Sequence, residues 1–316
     1  MKRVVVLVTL AAALGSACKR PPETTAGGMA SAAPARAQPR AEPSAAATTA
    51  SAADPLPHPL FWSVEKAGHT TYFLGTMHAG IDAESRLPAV VWTKLAAATT
   101  FAMEADLDDP DAASMIKPVA GSLRRELGDD YWKKLEAAMG PGVASAVEHL
   151  PPLVPAAALS MRGLPATPPM DRALSARAVR DHKQLVYLEP ATRQLTILGK
   201  WMDVRALKMI LDELPEGERH ARAMLDAYVA GDEQKLVAIS DGEKADALHH
   251  GYTAAEYDQE MNELLYDRNA SWIEAIETLH AAGGGFVAVG ALHLLGPRSV
   301  LELLARKGYT VTRVAP

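Results

Sequence analysis

Short apolar runs separated by polar turns predict β-strands at both ends of the chain. Near residue 60, LFWSV and TTYFLG flank the polar segment EKAGH, which predicts a β-hairpin with Gly68 in its turn. Val91 and Leu95 lie on one face of a predicted helix whose first position suits Pro88. TTFAMEAD then predicts a short buried strand, and the order strand, helix, strand indicates a βαβ unit with parallel pairing.

Helical periodicity dominates the middle of the chain, from residue 108 to about residue 251. Within this stretch HKQLVYLEP indicates a further strand, which ends in the acidic Glu189. The stretch is therefore predicted to be a large helical insertion between strands of a sheet.

A long amphipathic helix is predicted after the insertion, over TAAEYDQEMNELLYDRNASWIEAIETLHAAGG, with glycines at its C-terminal end. Arg268 falls on the apolar stripe of this helix, and Asn269 lies beside it. An unpaired buried charge is very costly, so Arg268 needs an anionic or hydrogen-bonding partner.

The C-terminal segment repeats the pattern of strand, helix and strand in GFVAVGALH, PRSVLELLARKG and YTVTRV. Taken together, these elements predict an α/β (α+β) domain over residues 58–316. Its central sheet is expected to be mixed and partly parallel, with flanking helices and the helical insertion at 108–251.

The N-terminus has the pattern of a secretory signal over residues 1–18: Lys2 and Arg3, an apolar core too short to span a bilayer, and small residues before Cys18. The position of Cys18 resembles a bacterial lipobox, although Gly15 stands where leucine is usual. Lipidation of Cys18 would anchor the protein in the cell envelope, and Lys19 favours the outer membrane. The alternative is cleavage after Ala17 and release of a secreted protein.

Residues 19–57 are rich in Ala, Pro, Ser and Thr and contain no aromatic residue, which predicts a disordered tether. The chain has 32 Lys and Arg against 38 Asp and Glu, with no basic run beyond the N-terminal segment, so a nucleic-acid partner is not expected. The oligomeric state is left open by the sequence.

Four predicted strands end next to a chemically active side chain: His78, Glu104, Glu189 and His293. Parallel neighbouring strands would bring these side chains to one edge of the sheet, where α/β proteins bind ligands. Gly75 and Gly290, three residues before the two histidines, would let the backbone turn and a ligand approach closely.

Two imidazoles and a carboxylate are a common catalytic metal set, which would activate water for hydrolysis. Arg268 and Asn269 would orient a substrate carboxylate or stabilise an oxyanion. Glu189, or whichever carboxylate is not a ligand, would act as general base. The alternatives are that the histidines are packing residues and that Glu104 or Glu189 pairs with a structural arginine such as Arg268.

The chain resembles the TraB/GumN (TraB/PrgY) family, to which the animal Tiki metalloproteases are related. The matching motifs are LGTMH with Gly75 and His78, MEAD with Glu104, MD with Asp171, LEPATRQ with Glu189 and Gln194, GD at Gly231 and Asp232, RN at Arg268 and Asn269, and VGALHLLG with Gly290, His293 and Gly296. The resemblance implies an α/β core with a helical insertion. It also implies that His78, Glu104 and His293 form a metal and catalytic set, supported by Arg268 and Asn269.

For the Tiki branch the resemblance implies metal-dependent peptidase activity, with manganese or cobalt favoured and zinc also possible. The first hypothesis is therefore a lipid-anchored metal-dependent hydrolase that acts on a peptide or protein in the cell envelope. The second is an envelope protein that sequesters a peptide or cofactor in the same crevice without turnover, which the tether and the peptide-related branches of the family suggest.

Overall fold

A computed structural model of the chain describes residues 54–316. Its six strands are β1 (Phe61–Lys66), β2 (His69–Thr76), β3 (Thr100–Met103), β4 (Gln184–Tyr187), β5 (Phe286–Gly290) and β6 (Thr310–Arg313). They form one sheet in the order β4-β3-β5-β2-β1-β6. β4, β3, β5 and β2 are mutually parallel, whereas β1 is antiparallel to both of its neighbours. The predicted α/β class with a mixed, partly parallel sheet is confirmed.

The predicted hairpin is present as β1 and β2. Its two turn residues, Ala67 and Gly68, have φ angles of 52° and 83°. Two positive φ angles are required by the tight turn that matches strand twist, and glycine adopts them without steric cost. Glu65, Lys66 and His69, which the pattern placed in the turn, are paired strand residues.

The two predicted βαβ units are wrong in one respect, since their parallel strands are not direct neighbours. β5 lies between β2 and β3, and the hairpin strands β2 and β1 lie between β5 and β6. Local patterning predicts which segments are strands, but the order of strands depends on contacts between distant segments.

The helices before β4 are mostly short. They are α1 (Ala83–Arg86), α2 (Ala89–Ala97), α3 (Pro110–Met115), α4 (Leu123–Leu127), α5 (Asp129–Met139), α6 (Pro141–Ala146), α7 (Leu153–Ser160) and α8 (Met170–Arg180). Pro88 is the N-cap of α2, one position before its predicted place, and Val91 and Leu95 are buried.

Seven helices follow β4, and on average they are longer than the helices before it. They are α9 (Ala191–Trp201), α10 (Val204–Asp212), α11 (Leu214–Ala230), α12 (Glu233–His249), α13 (Ala254–Met261), α14 (Asp267–Ala281) and α15 (Val300–Arg306). Between β3 and β5, residues 108–251 thus contain ten helices and the single strand β4.

Residues 54–316 contain three buried apolar clusters, of which two are large. The first surrounds the sheet, where the ring of Phe286 lies 5.7 Å from that of Phe61 and 6.2 Å from that of Phe101. The second joins the helices on either side of β4, with Trp132, Leu135 and Leu207 buried at its centre. The candidate site lies at the edge of the sheet where the helical part meets the strand ends.

The predicted long helix is interrupted. A π-helical turn, Asn262–Tyr266, separates α13 from α14, so the chain contains one wider turn immediately before Arg268. Such π-helical turns are frequent at functional sites. Gly283 and Gly284 follow α14 with positive φ angles, as the predicted glycine termination requires.

Leu56, which precedes the predicted start of the domain at residue 58, packs against the domain. Leu56, assigned to the tether, is buried, and its N–H donates to the carbonyl of Arg86 at 2.7 Å. As an apolar residue it packs into the main core, which the surrounding composition, rich in alanine and proline, did not indicate. The predicted signal, Cys18 and most of the tether lie outside the described residues. Within residues 54–316, no helix combines the length and apolarity needed to cross a membrane.

Candidate functional site

Neighbouring strand ends bring the two Gly-x-x-His motifs together. In the parallel pair β2 and β5, Gly75 lies opposite Val289 and Thr76 lies opposite Gly290. β3 pairs with the other side of β5, and β4 pairs with β3. The segments that follow these strands therefore carry His78, His293, Glu104 and Glu189 to one edge of the sheet, as the strand-end argument predicted.

His78 is held by a buried carboxylate on the helical insertion. Its Nδ1 lies 2.5 Å from Oδ2 of Asp171, which is in the first turn of α8, and both side chains are buried. The hydroxyl of Thr76 donates to the other oxygen of Asp171 at 2.8 Å. With Nδ1 turned to a carboxylate, Nε2 is the ring atom left for chemistry, and it is buried without a hydrogen-bond partner.

The pKa of His78 is raised above its usual value. Burial by itself disfavours the imidazolium and lowers this pKa, but the charge of Asp171 and its hydrogen bond outweigh that effect.

His293 is oriented through Asn269, which is next to Arg268 on α14. Its Nδ1 lies 2.6 Å from Oδ1 of Asn269, while Nδ2 of that amide donates to the carbonyl of Arg298 at 2.9 Å. This second bond fixes the amide so that its oxygen faces the ring. Nδ1 of His293 therefore carries the proton, and Nε2 presents a lone pair toward the site.

The pKa of His293 is lowered to about 3. Burial is the main cause, and the nearby charge of Arg268 adds to it, whereas Glu104 acts in the opposite direction. At neutral pH the ring is uncharged, which is the form that binds a metal or accepts a proton.

Glu104 is the most strongly bonded carboxylate of the group. Oε1 accepts the backbone N–H of Gly290 at 2.8 Å, and Oε2 accepts bonds from Gln194 at 2.8 Å and from Arg268 at 2.7 Å. Burial alone would raise the pKa of Glu104, but His293, Arg268, His78 and the backbone N–H of Gly290 lower it to about 2. Glu104 is thus a buried carboxylate that stays ionised at neutral pH.

Arg268 joins the two acidic strand ends. Its Nε donates to Oε1 of Glu189 at 2.7 Å, and its terminal nitrogens reach Glu104 and, at 3.3 Å, Nε2 of His293. The carbonyl of Leu264, in the π-helical turn, accepts a further bond at 3.0 Å. The sequence predicted an anionic or hydrogen-bonding partner for Arg268, and the structure shows two carboxylate partners, Glu104 and Glu189.

Glu189 lies on the far side of this guanidinium. Its side chain is fully buried, its pKa is raised chiefly by that burial, and its second oxygen lies 3.4 Å from Arg193. This geometry corresponds to the alternative in which Glu189 pairs with a structural arginine.

Side chains of Glu104, His293 and His78 surround the position that a Cβ atom of residue 290 would occupy. A Cβ atom at this position would lie 3.2 Å from Oε1 of Glu104, 3.6 Å from Cδ2 of His293 and 3.7 Å from Nε2 of His78. The missing side chain leaves a space bordered by two imidazoles and a carboxylate. Gly75 has a different role, because a Cβ there would meet Ala291 at 3.1 Å and Leu60 at 3.2 Å, so its lack of a side chain serves strand packing.

The donor types at this space suit a divalent metal. Nε2 of His78 is a buried nitrogen without a hydrogen-bond partner, and each histidine has its other nitrogen next to an oxygen, as metal-binding histidines usually do. As arranged, however, no three His, Cys, Asp or Glu side chains of residues 54–316 form a metal-binding group. Nε2 of His293 contacts Arg268 at 3.3 Å, and a metal bound to that nitrogen would displace this contact.

A cavity of about 60 Å³ opens beside these groups. His78, Arg268, Gly290 and His293 line one end of it, and the remaining wall comes mainly from apolar residues of α11, α12 and the π-helical turn. It has room for a few water molecules or one small group.

Four further residues contribute to the site although they were not among the predicted site residues: Thr76, Asp171, Gln194 and Tyr228. Asp171 and Gln194 do fall within the matched family motifs MD and LEPATRQ, which was the available signal. Thr76 and Tyr228 carry no such signal, because their roles depend on contacts across the fold.

The family model for the TraB/PrgY/gumN family matches residues 60–313. The chain belongs to the TraB/PrgY/gumN family. It is 24% identical to Uncharacterized protein YbaP of Escherichia coli (strain K12) over 243 residues, which cover 74% of this chain and 87% of that protein, and the Shigella flexneri YbaP gives the same identity and coverage over 244 residues. It is also 29% identical to Metalloprotease TIKI homolog of Nematostella vectensis over 180 residues, which cover 50% of this chain and 37% of that relative. No solved structure matches the chain significantly.

Proposed function

We propose that this chain is a metal-dependent hydrolase that cleaves a peptide or protein substrate in the cell envelope. The observation that carries the proposal is the convergence of Nε2 of His78, Oε1 of Glu104 and the ring of His293 on the space at Gly290. Family membership and the similarity to a relative named as a metalloprotease support a hydrolase.

In this proposal, His78 and His293 bind the metal through Nε2 and Glu104 binds it through its carboxylate. Manganese or cobalt is favoured by the resemblance to the Tiki proteases, and zinc suits the same donors. When bound, the metal supplies an activated water and polarises the carbonyl of the substrate.

The chain itself orients these groups and supplies a positive charge. Asp171 and Asn269 hold the two imidazoles beside the same space, toward which His78 turns Nε2 and His293 turns the ring edge at Cδ2. Arg268 lines the cavity and is placed to stabilise negative charge that develops on a carbonyl oxygen. Glu189, predicted from the sequence as a candidate base, instead neutralises Arg268 and fixes its position.

The N-terminal sequence supports the proposed location. A signal-like segment that ends at Cys18 suits export followed by lipidation, and a tether of about forty residues would hold the catalytic domain away from the membrane. Mass spectrometry of the mature N-terminus tests this part, since an unmodified N-terminus after Ala17 would contradict lipidation.

Metal binding and peptide cleavage test the proposed function. The purified protein is loaded with manganese, cobalt or zinc, its metal content is measured, and a broad peptide library is screened for cleavage. We expect one metal per chain and turnover, both lost in His78→Ala and His293→Ala and both kept in His249→Ala, whose side chain is exposed. Absence of metal and of cleavage in the folded wild-type protein would refute the proposal.

A second candidate is a binding protein that holds a peptide in the same crevice without turnover. The position of Arg268 favours it, because its hydrogen bond to Nε2 of His293 occupies the nitrogen that a metal would use. Tight binding of library peptides without cleavage in any metal would support this candidate, and multiple turnover that depends on His78 would exclude it.

A further inference from the structure

The cavity beside the two imidazoles has an apolar wall that the proposed chemistry does not use. Its walls include Met77, Met224, Tyr228, Leu236, Leu264 and Leu292. These side chains come from the loop after β2, from α11 and α12, from the π-helical turn and from the segment that precedes His293. The space therefore starts at the candidate catalytic groups and ends among aliphatic and thioether side chains.

The polar groups along this wall are already engaged. The hydroxyl of Tyr228 donates to the carbonyl of Gly75 at 2.7 Å, and the hydroxyl of Thr76 donates to Asp171. A polar group placed against this apolar wall would lose its water and find few partners, which is unfavourable. An apolar group would lose only its hydration shell, which is favourable.

The size of the cavity limits what it holds. At about 60 Å³ it is less than half of an engineered cavity of about 150 Å³ that accepts benzene. A methyl or isopropyl group fits this space, whereas an aromatic ring requires the wall to move. Met77 and Met224 provide limited adaptability, because methionine side chains are flexible.

We propose that this cavity is a specificity pocket for a small aliphatic side chain, of the size of alanine or valine, on a residue next to the cleaved bond. This inference rests on the proposed function, since it assigns the cleaved bond to the space at Gly290. The substrates would then be peptides that carry a small aliphatic residue, such as alanine or valine, next to the cleaved bond.

Binding of single amino-acid derivatives tests the pocket without any need for turnover. The full chain is labelled with ¹³C at its methionine methyl groups and titrated with N-acetyl-valinamide, with N-acetyl-threoninamide as the isosteric control and with N-acetyl-phenylalaninamide as the oversized one. Met77→Leu and Met224→Leu assign the two signals of interest. We expect saturable shifts of both signals with the valine derivative, and about 10- to 100-fold weaker binding of the threonine derivative.

Variants at Leu236 test the size limit. Leu236 is buried in α12 and lines the cavity, so Leu236→Ala enlarges the pocket and Leu236→Phe fills it. We expect the first variant to accept the phenylalanine derivative and the second to lose binding of the valine derivative. The second variant adds apolar volume and keeps the test usable if the first fails to fold.

The outcomes separate this inference from the proposed function. Saturable valine binding without cleavage of any peptide would support the pocket and count against hydrolysis. Cleavage with no preference for a small aliphatic residue would support hydrolysis and overturn the pocket. Equal binding of the valine and threonine derivatives, or no response of either methionine signal, would also overturn it.

Discussion

Nδ1 of His78 and Oδ2 of Asp171 lie 2.5 Å apart in the interior of the protein, and the second oxygen of Asp171 is held by Thr76. This pair fixes which nitrogen of His78 faces the candidate site. Oxygen partners of this kind typically change metal affinity or activity by about 10- to 100-fold when removed.

The first prediction is that Asp171→Asn weakens metal binding by about 10- to 100-fold while the fold is retained. An uncharged amide holds the imidazole less strongly and no longer stabilises its proton on Nδ1. Calorimetric titration with manganese or cobalt measures the affinity, and ¹⁵N spectra of the histidine rings report the tautomer of His78. Asp181→Asn, in an ion pair with Arg177, is the control. Unchanged affinity and tautomer in Asp171→Asn would refute the positioning role.

The second prediction concerns the space at Gly290. A methyl group at this position would press on Glu104 and approach both imidazoles, so Gly290→Ala is expected to reduce peptide cleavage about 10²-fold, the effect of displacing catalytic groups by about 1 Å. The backbone φ of −51° is accessible to alanine, so the effect is local.

Gly199→Ala is the matched control for this substitution. Gly199 lies within α9 with open space around it, and alanine there should stabilise the helix by about 0.5–1 kcal/mol. Cleavage rates and urea unfolding curves measured on both variants separate a site effect from a loss of stability. Wild-type activity in Gly290→Ala would contradict the assignment of this space to the reaction.

The third prediction is that Arg268→Met lowers the free energy of unfolding by about 3–5 kcal/mol. The substitution keeps an apolar stem but leaves Glu104 and Glu189 as two buried carboxylates without their shared cation. Arg193→Met, which removes a half-exposed partner of Glu189, should cost no more than about 1 kcal/mol. Urea unfolding at pH 7 measures both, and equal effects of the two variants would contradict the central role of Arg268.

The fourth prediction follows from the pKa of Glu104, which is lowered from 4.5 to about 2. A carboxyl group with a depressed pKa contributes stability that is present above its unfolded value and is lost as the pH falls toward its folded value. Glu104→Gln should therefore differ most from the wild type in free energy of unfolding above pH 4.5, and least near pH 2.

Urea unfolding of the metal-free proteins at pH 7 and pH 3 measures this difference. Glu256→Gln gives a surface comparison, since the lowered pKa of Glu256 arises from bonds to Thr253 at the exposed start of α13. A difference between wild type and Glu104→Gln that stays constant between the two pH values would refute the assignment.

The sequence predicted those features of the fold that depend on local chemistry. Gly68 identified the hairpin turn, and the apolar strand ends identified where His78, Glu104 and His293 would meet. The position of β5 between β2 and β3 could not be predicted, because pairs such as Tyr72 and Phe286 are far apart in the chain and no local pattern specifies them.

The orienting residues of the site were harder to predict than the groups they hold. Asp171 lies at the start of α8 after a proline-rich segment, and although the family motif MD includes it, its role in orienting His78 depends on a contact across the fold. The π-helical turn before Arg268 is likewise invisible in a helical pattern of apolar residues, since one wider turn changes the periodicity very little.

The central place of β5 in the sheet makes the candidate site a late product of chain synthesis. β5 begins at Phe286, whereas the strands on both sides of it leave the ribosome much earlier. Until β5 arrives, β2 and β3 each present an unpaired edge, and neither His293 nor Gly290 is available. A chain interrupted before this point therefore lacks both the middle strand of its sheet and two of the groups that border its candidate site.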